Sequence, residues 1–162
     1  MTLASVQDSI EFEIFVTAPP ERIFEALVNP NQVPQWWGGR GAGQSYRCTK
    51  FESDVRVGGS WRCIGIDGNG SKFEVSGEYR IVDRPNLLVT TWRASWTGDA
   101  ETTVSWELVV ANRGTQVKIC HSGFAAHPEI SSAYRGWPMM LQWLRLLLER
   151  RETVESRFSQ GE

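Results

Sequence analysis

From Tyr46 to Ser122 the chain alternates apolar and polar residues in one short segment after another, and from Trp137 onward the apolar period changes to three and four. Period two places side chains on opposite faces of a strand, and a mixed three-and-four period makes a stripe along a helix. The clearest alternation sets Phe73, Val75, Gly77, Tyr79 and Ile81 against Glu74, Ser76, Glu78 and Arg80. Val104, Trp106 and Leu108 repeat the pattern, as do Val117, Ile119 and His121. Further strands are expected over 46–51, 61–66 and 87–94. Gly58-Gly59, Asp67-Gly68-Asn69-Gly70, Arg84-Pro85-Asn86 and Asn112-Arg113-Gly114 punctuate the run with turn chemistry. Consecutive strands joined by short turns form an antiparallel meander. Such a sheet has one apolar face, and that face needs a cover.

The cover is the C-terminal stripe of Trp137, Met140, Leu141, Leu144, Leu147 and Leu148. A helix over 131–156 spans about 35–40 Å, with Pro138 either kinking it or opening a fresh first turn. At the other end Ile10, Phe12, Ile14 and Val16 alternate and predict a strand pairing at a sheet edge. Pro19-Pro20-Glu21 opens a first helix carrying Ile23, Phe24 and Leu27, and Asn29-Pro30 ends it. A shorter second helical turn, interrupted by Pro34, leads to Trp36-Trp37. The expected fold is α+β: a curled antiparallel sheet of about seven strands around a long C-terminal helix, with two short N-terminal helices. At 162 residues this is one domain over 1–162, with its core at about 10–152.

Composition removes several function classes. Seventeen basic and nineteen acidic residues leave a net charge of −2, so no field selects nucleic acid or an anionic membrane. Residues 1–8 carry neither a basic residue nor an apolar run, no stretch approaches a membrane span, and a cytoplasmic location is expected. Cys48, Cys63 and Cys120 are odd in number without C-x-x-C spacing, which reads as free thiols rather than disulfides or zinc ligands. The glycine-rich stretch Gly38 to Gly43 lacks the Lys-Ser/Thr of a phosphate loop and reads as a loop over a cavity mouth. Asp67 to Gly70 lacks the later carboxylates of a calcium loop. The two histidines, His121 and His127, are too few for a three-histidine metal site. Ser122 follows His121 directly, so the two side chains leave a strand on opposite faces and make no Ser/His couple. No catalytic residue, cofactor or metal is expected.

Eight tryptophans remain to be explained. Aromatic residues at strand spacing usually fill a core, and Trp61, Trp106 and Trp137 fit that reading. Trp36 and Trp37 follow a broken helix and precede a glycine loop, so they are expected at a lip, partly exposed. The order of short motifs adds a resemblance. Ala18-Pro19-Pro20-Glu21-Arg22-Ile23-Phe24, Gln35-Trp36-Trp37-Gly38, the Asp54 to Arg62 segment around Gly58-Gly59, Gly77-Glu78-Tyr79, Thr91-Trp92, His121-Ser122-Gly123-Phe124 and Gly136-Trp137 with Leu141 and Leu144 are together similar to the heat-shock-protein-90 ATPase activator homologues. That family belongs to the START-like, helix-grip superfamily. Pro34 and Pro138 depart from its pattern. The resemblance covers about residues 10–152 and implies an apolar cavity between sheet and C-terminal helix.

The resulting expectation is a non-enzymatic binding domain for a small apolar or aromatic molecule. Trp61, Tyr79, Trp92, Trp106 and His121 would form the cavity floor, Trp137, Leu141 and Leu144 the helix wall, and Trp36 and Trp37 the entrance. The family implies an alternative, a module contacting a chaperone or another protein, and more distantly a polyketide cyclase-like enzyme. A cavity of several hundred Å³ favours the first reading, and a filled core favours the second.

Overall fold

The computed structural model describes residues 8–38, 46–98, 100–126, 134 and 136–160, the last ten as backbone. Seven strands form one antiparallel sheet: β1 (Ser9–Val16), β2 (Arg47–Ser53), β3 (Ser60–Ile66), β4 (Lys72–Asp83), β5 (Leu87–Ala94), β6 (Thr102–Ala111) and β7 (Gly114–Ser122). Their order is β1-β7-β6-β5-β4-β3-β2. The meander from β2 to β7 therefore keeps sequence neighbours adjacent, and β1 closes the edge beside β7 as its alternation requires. Two short helices, α1 (Pro20–Val28) and α2 (Val33–Trp36), join β1 to β2, and α3 (Trp137–Gln160) ends the chain.

The inward residues of the last strands, Val104, Trp106, Leu108, Val117 and Ile119, are buried, as are Trp137, Leu141, Leu144 and Leu148 of α3. Ile23, Phe24 and Leu27 of α1 are buried with them. Two bulges interrupt the ladders, between Cys48 and Lys50 and between Tyr79 and Ile81. The second overturns one detail of the alternation. An extra residue at Arg80 flips the strand, so Ile81 is 43% exposed while Val82 turns to the core. A bulge also bends and twists its strand, which helps a sheet curl.

Helix α3 begins at Trp137 rather than near residue 131; Gly136 is a turn, and 131–133 lie outside the described residues. Pro138 opens the helix instead of kinking it. Its missing N–H costs nothing in a first turn, and the Gly136 carbonyl accepts from Met139 and Met140, both at 3.1 Å. The backbone of α3 stays helical to Gln160.

Candidate ligand cavity

Trp92, on β5, is the hub of an aromatic cluster. It stacks on Trp37 at 5.7 Å with 8° between planes, and meets Trp137 at 5.2 Å and Trp61 at 5.3 Å. Trp106 packs edge-on against Trp137 at 5.7 Å. Gly77 makes part of this layer possible. A Cβ there would meet the Thr91 carbonyl at 1.9 Å and Trp61 Nε1 at 2.6 Å, so only glycine lets the Trp61 indole cross β4 to reach the Thr90 hydroxyl.

These rings fill the centre of the grip. Among Leu27, Trp36, Trp61, Tyr79, Trp106 and Trp137 only about 30 Å³ remains, about the room of one water. A larger cavity of about 280 Å³ lies at the end of the cluster. Trp37, Trp92 and Trp137 line both spaces. The larger one is completed by Tyr46 before β2, Trp96 after β5, Tyr134, and Gly136, Met139, Met140 and Trp143 of α3 and the turn before it.

The structure thus divides the ten residues expected at the site. Trp37, Trp92 and Trp137 border the large cavity. Trp36, Trp61, Tyr79 and Trp106 border the small one. His121, Leu141 and Leu144 are buried, and among the described residues they line neither. Trp36 and Trp37 are not a partly exposed lip: they are 3% and 6% exposed. The Trp36 indole N–H donates to the Ala26 carbonyl at 2.8 Å, which draws α2 against α1. The exposed rim is instead Tyr46, Trp96 and Met139, between 42% and 51% exposed. Tyr46 holds a φ of +59°, a left-handed conformation that side chains larger than glycine or asparagine seldom adopt. There its ring meets Phe73 and Trp96, each at 5.6 Å. The loop expected over the mouth, Gly39 to Gly43, lies outside the described residues, as does His127.

The sequence did carry a signal for part of this lining. Gly136, Met139, Met140 and Trp143 are spaced i, i+3, i+4, i+7, a second stripe beside the leucine face. Tyr46, expected to open a strand, stands at a bend just before β2, and Trp96 and Tyr134 lie in short 3-10 turns, too brief for a periodicity to mark direction.

His121 is a satisfied core residue. Its Nδ1 accepts from Trp137 Nε1 at 3.1 Å. The ring proton therefore sits on Nε2, which donates to Thr102 Oγ1 at 2.6 Å. Burial lowers its pKa from 6.5 to about 3, so the imidazole is neutral. Burial likewise raises the Tyr134 hydroxyl above the ordinary tyrosine value. Cys48, Cys63 and Cys120 are free thiols. The Cys63 thiol is pushed far up, first by its hydrogen bond with Cys48 and then by burial. Among the described residues no three His, Cys, Asp or Glu side chains gather as metal ligands, and no helix is long and apolar enough to cross a membrane.

Comparison with known proteins places the chain among relatives. Residues 17–149 match the model of the family described as activator of Hsp90 ATPase homolog 1-like protein. Protein CV1439 from Chromobacterium violaceum is 26% identical, with a TM-score of 0.73 over 88% of this chain and 97% of its own. An AHSA1-like protein from Aeromonas hydrophila is 20% identical, with a TM-score of 0.71 over 89% and 94%. DynU16, a putative protein of the dynemicin biosynthetic locus, is 24% identical, with a TM-score of 0.66 over 88% of this chain and 48% of its own. No curated protein matches.

Proposed function

The chain belongs to the activator of Hsp90 ATPase homolog 1-like family, and from that premise we propose that it is a single-domain binding protein whose end cavity takes a small apolar or aromatic molecule. The observation that carries this reading is a space of about 280 Å³ walled almost entirely by aromatic rings and methionines. Ligand pockets run from roughly 300 Å³ upward and are mostly apolar with a few placed polar groups. This one lies at the small end of that range, suited to a compact ring system rather than a long acyl chain. The lining contains five of the eight tryptophans, Trp37, Trp92, Trp96, Trp137 and Trp143. Its titratable groups among the described residues are the hydroxyls of Tyr46 and Tyr134. Neither is paired with a carboxylate or imidazole in the lining, so the arrangement favours binding over acid–base chemistry. The three free thiols fit a cytoplasmic location.

A thermal-shift screen of compact aromatic compounds tests this. A ligand at about 100 times its Kd adds about 2.7 kcal/mol of stability, or roughly 5–10 °C in Tm for a domain of this size. Tryptophan emission should change with the same midpoint. No shift across a chemically diverse set would count against the cavity as a binding site.

One observation favours a second reading, a module that contacts a protein. The rim residues Tyr46, Trp96 and Met139 are apolar and exposed, and Leu146, one helical turn beyond Trp143, is 53% exposed. Contiguous exposed apolar residues mark contact surfaces, and the family takes its name from a chaperone ATPase activator.

A further inference from the structure

Trp37, Trp92, Trp137 and Met140 line both the large and the small space, and so stand between them. Three of the four are held in place. Trp37 is sandwiched between Trp36 at 6.0 Å and Trp92 at 5.7 Å. Trp137 donates its indole N–H to His121. Trp92 packs against Trp37, Trp61, Trp137 and Tyr134. Met140 has no such tie. Its side chain has no hydrogen to donate and no ring to stack, and it is only partly buried where it packs on the core. It is unbranched, with three rotatable bonds, the kind of side chain that gives way and refills a gap. Behind it the small space has apolar walls, among them Leu27, Val33, Phe51 and Leu88. The polar groups on those walls are already engaged. The Thr90 hydroxyl accepts from Trp61 and donates to the Thr91 carbonyl, and the Tyr79 hydroxyl is hydrogen-bonded with Ser53. The small space is therefore suited to hydrocarbon.

We propose that Met140 is the partition that sets how far a ligand reaches, and that the ligand is a compact aromatic ring carrying a short unbranched hydrocarbon tail. The ring occupies the large space and the tail passes Met140 into the small one. This rests on the large cavity being a binding site. The small space alone has about the room of one water, so a tail of several carbons enters only as the Met140 side chain swings aside. A branched tail does not follow. It presents several methyl groups at once to an opening the width of one side chain, whose other walls are three fixed indoles.

Three probes test this: 2-ethylnaphthalene, 2-butylnaphthalene and 2-tert-butylnaphthalene, titrated by thermal shift. The two butyl isomers have the same number of carbons, so a difference between them reports shape rather than hydrophobicity. In the native protein the linear isomer should bind at least about threefold more tightly than either other probe. Burying two further methylenes is worth about tenfold to fifteenfold, and displacing Met140 offsets part of that gain. Met140→Ala opens the partition and should raise the butyl-to-ethyl affinity ratio to about tenfold. Met140→Ile keeps the volume but stiffens the side chain on its helix, and the ratio should fall to about one. The ratio cancels whatever either substitution does to the large space. Met140→Ile decides the matter by itself if the alanine variant impairs folding. A ratio indifferent to both substitutions overturns the partition and leaves the cavity standing. Equal binding of the two butyl isomers by the native protein also overturns it. Binding of none of the three removes the partition together with the cavity reading beneath it.

Discussion

His121 shows how one buried polar residue ties together elements distant in sequence. The alternation of Val117, Ile119 and His121 was enough to turn the imidazole inward, and it is fully buried. Its partners were not legible, because Thr102 and Trp137 reach it only through the register of β6 and the start of α3. Trp137 donates to Nδ1, Nε2–H donates to Thr102, and the Thr102 hydroxyl reaches the Trp92 carbonyl at 3.4 Å. The chain of donors thus runs from α3 through β7 and β6 to β5. Protonating Nδ1 would set two donors against each other, which agrees with a folded pKa of about 3, depressed by burial. The unfolded chain binds this proton near the ordinary imidazole value of about 6.5, so the unfolded state holds more protons between the two values. Stability from a neutral His121 is complete above about pH 6.5 and is lost as pH falls toward 3, with a slope of up to about 1.4 kcal/mol per pH unit. Urea titrations from pH 3.5 to 7 should show this slope, and His121→Gln, which does not titrate, should remove it while preserving the fold. Equal slopes in both proteins would assign the acid sensitivity to other groups.

Short elements are where local rules and tertiary packing diverge. Pro34 inside α2 and the glycines after Trp37 suggested a segment too broken to cover two indoles. What covers them is nonlocal: Trp37 stacks on Trp92 of β5, and its carbonyl accepts from Cys48 N at 3.1 Å. No window of sequence contains both partners. Trp37→Ala should therefore behave as a core truncation, costing about 3–5 kcal/mol, measured from the urea midpoint at constant m-value. A loss below about 1 kcal/mol would restore the lip role first expected of it. The bulge at Arg80 escaped the reading for a similar reason. Alternation continues in sequence through Ile81, and the slip of one residue is visible only against the β5 partner. Helix α3 was more legible, since Pro138 marks its own first turn and the two stripes can be counted directly. Only the stripe through Leu141 and Leu144 was used. The neighbouring one, through Met139 and Trp143, faces the cavity.

At the scale of the molecule, the grip itself follows from a one-faced sheet and a single long helix, but the place of its empty space does not. Cavity position is a difference between the volume enclosed and the volume of the side chains put into it. Trp61, Trp92, Trp106 and Trp137 consume the centre and leave about 30 Å³ there, and the larger space lies beyond Trp37 and Trp92. Whether function resides in that volume or in its exposed rim can be decided by filling the one without touching the other. Gly136 lines the cavity, holds no left-handed conformation, and among the described residues has nothing within 4 Å of where a Cβ would stand. Its role in α3 is a carbonyl, which any residue supplies. Gly136→Phe should place a ring in the cavity while shifting stability by no more than about 0.5 kcal/mol, the usual effect of substitution at an unstrained site free of close contacts. It should weaken binding of a compact aromatic probe such as 2-ethylnaphthalene at least tenfold, because the ring and the probe occupy the same space. Met139→Ser, on the rim, should weaken the same probe less than threefold while trimming the exposed apolar surface. The opposite order, with the probe indifferent to Gly136→Phe and sensitive to Met139→Ser, would move function from the cavity to the surface around it.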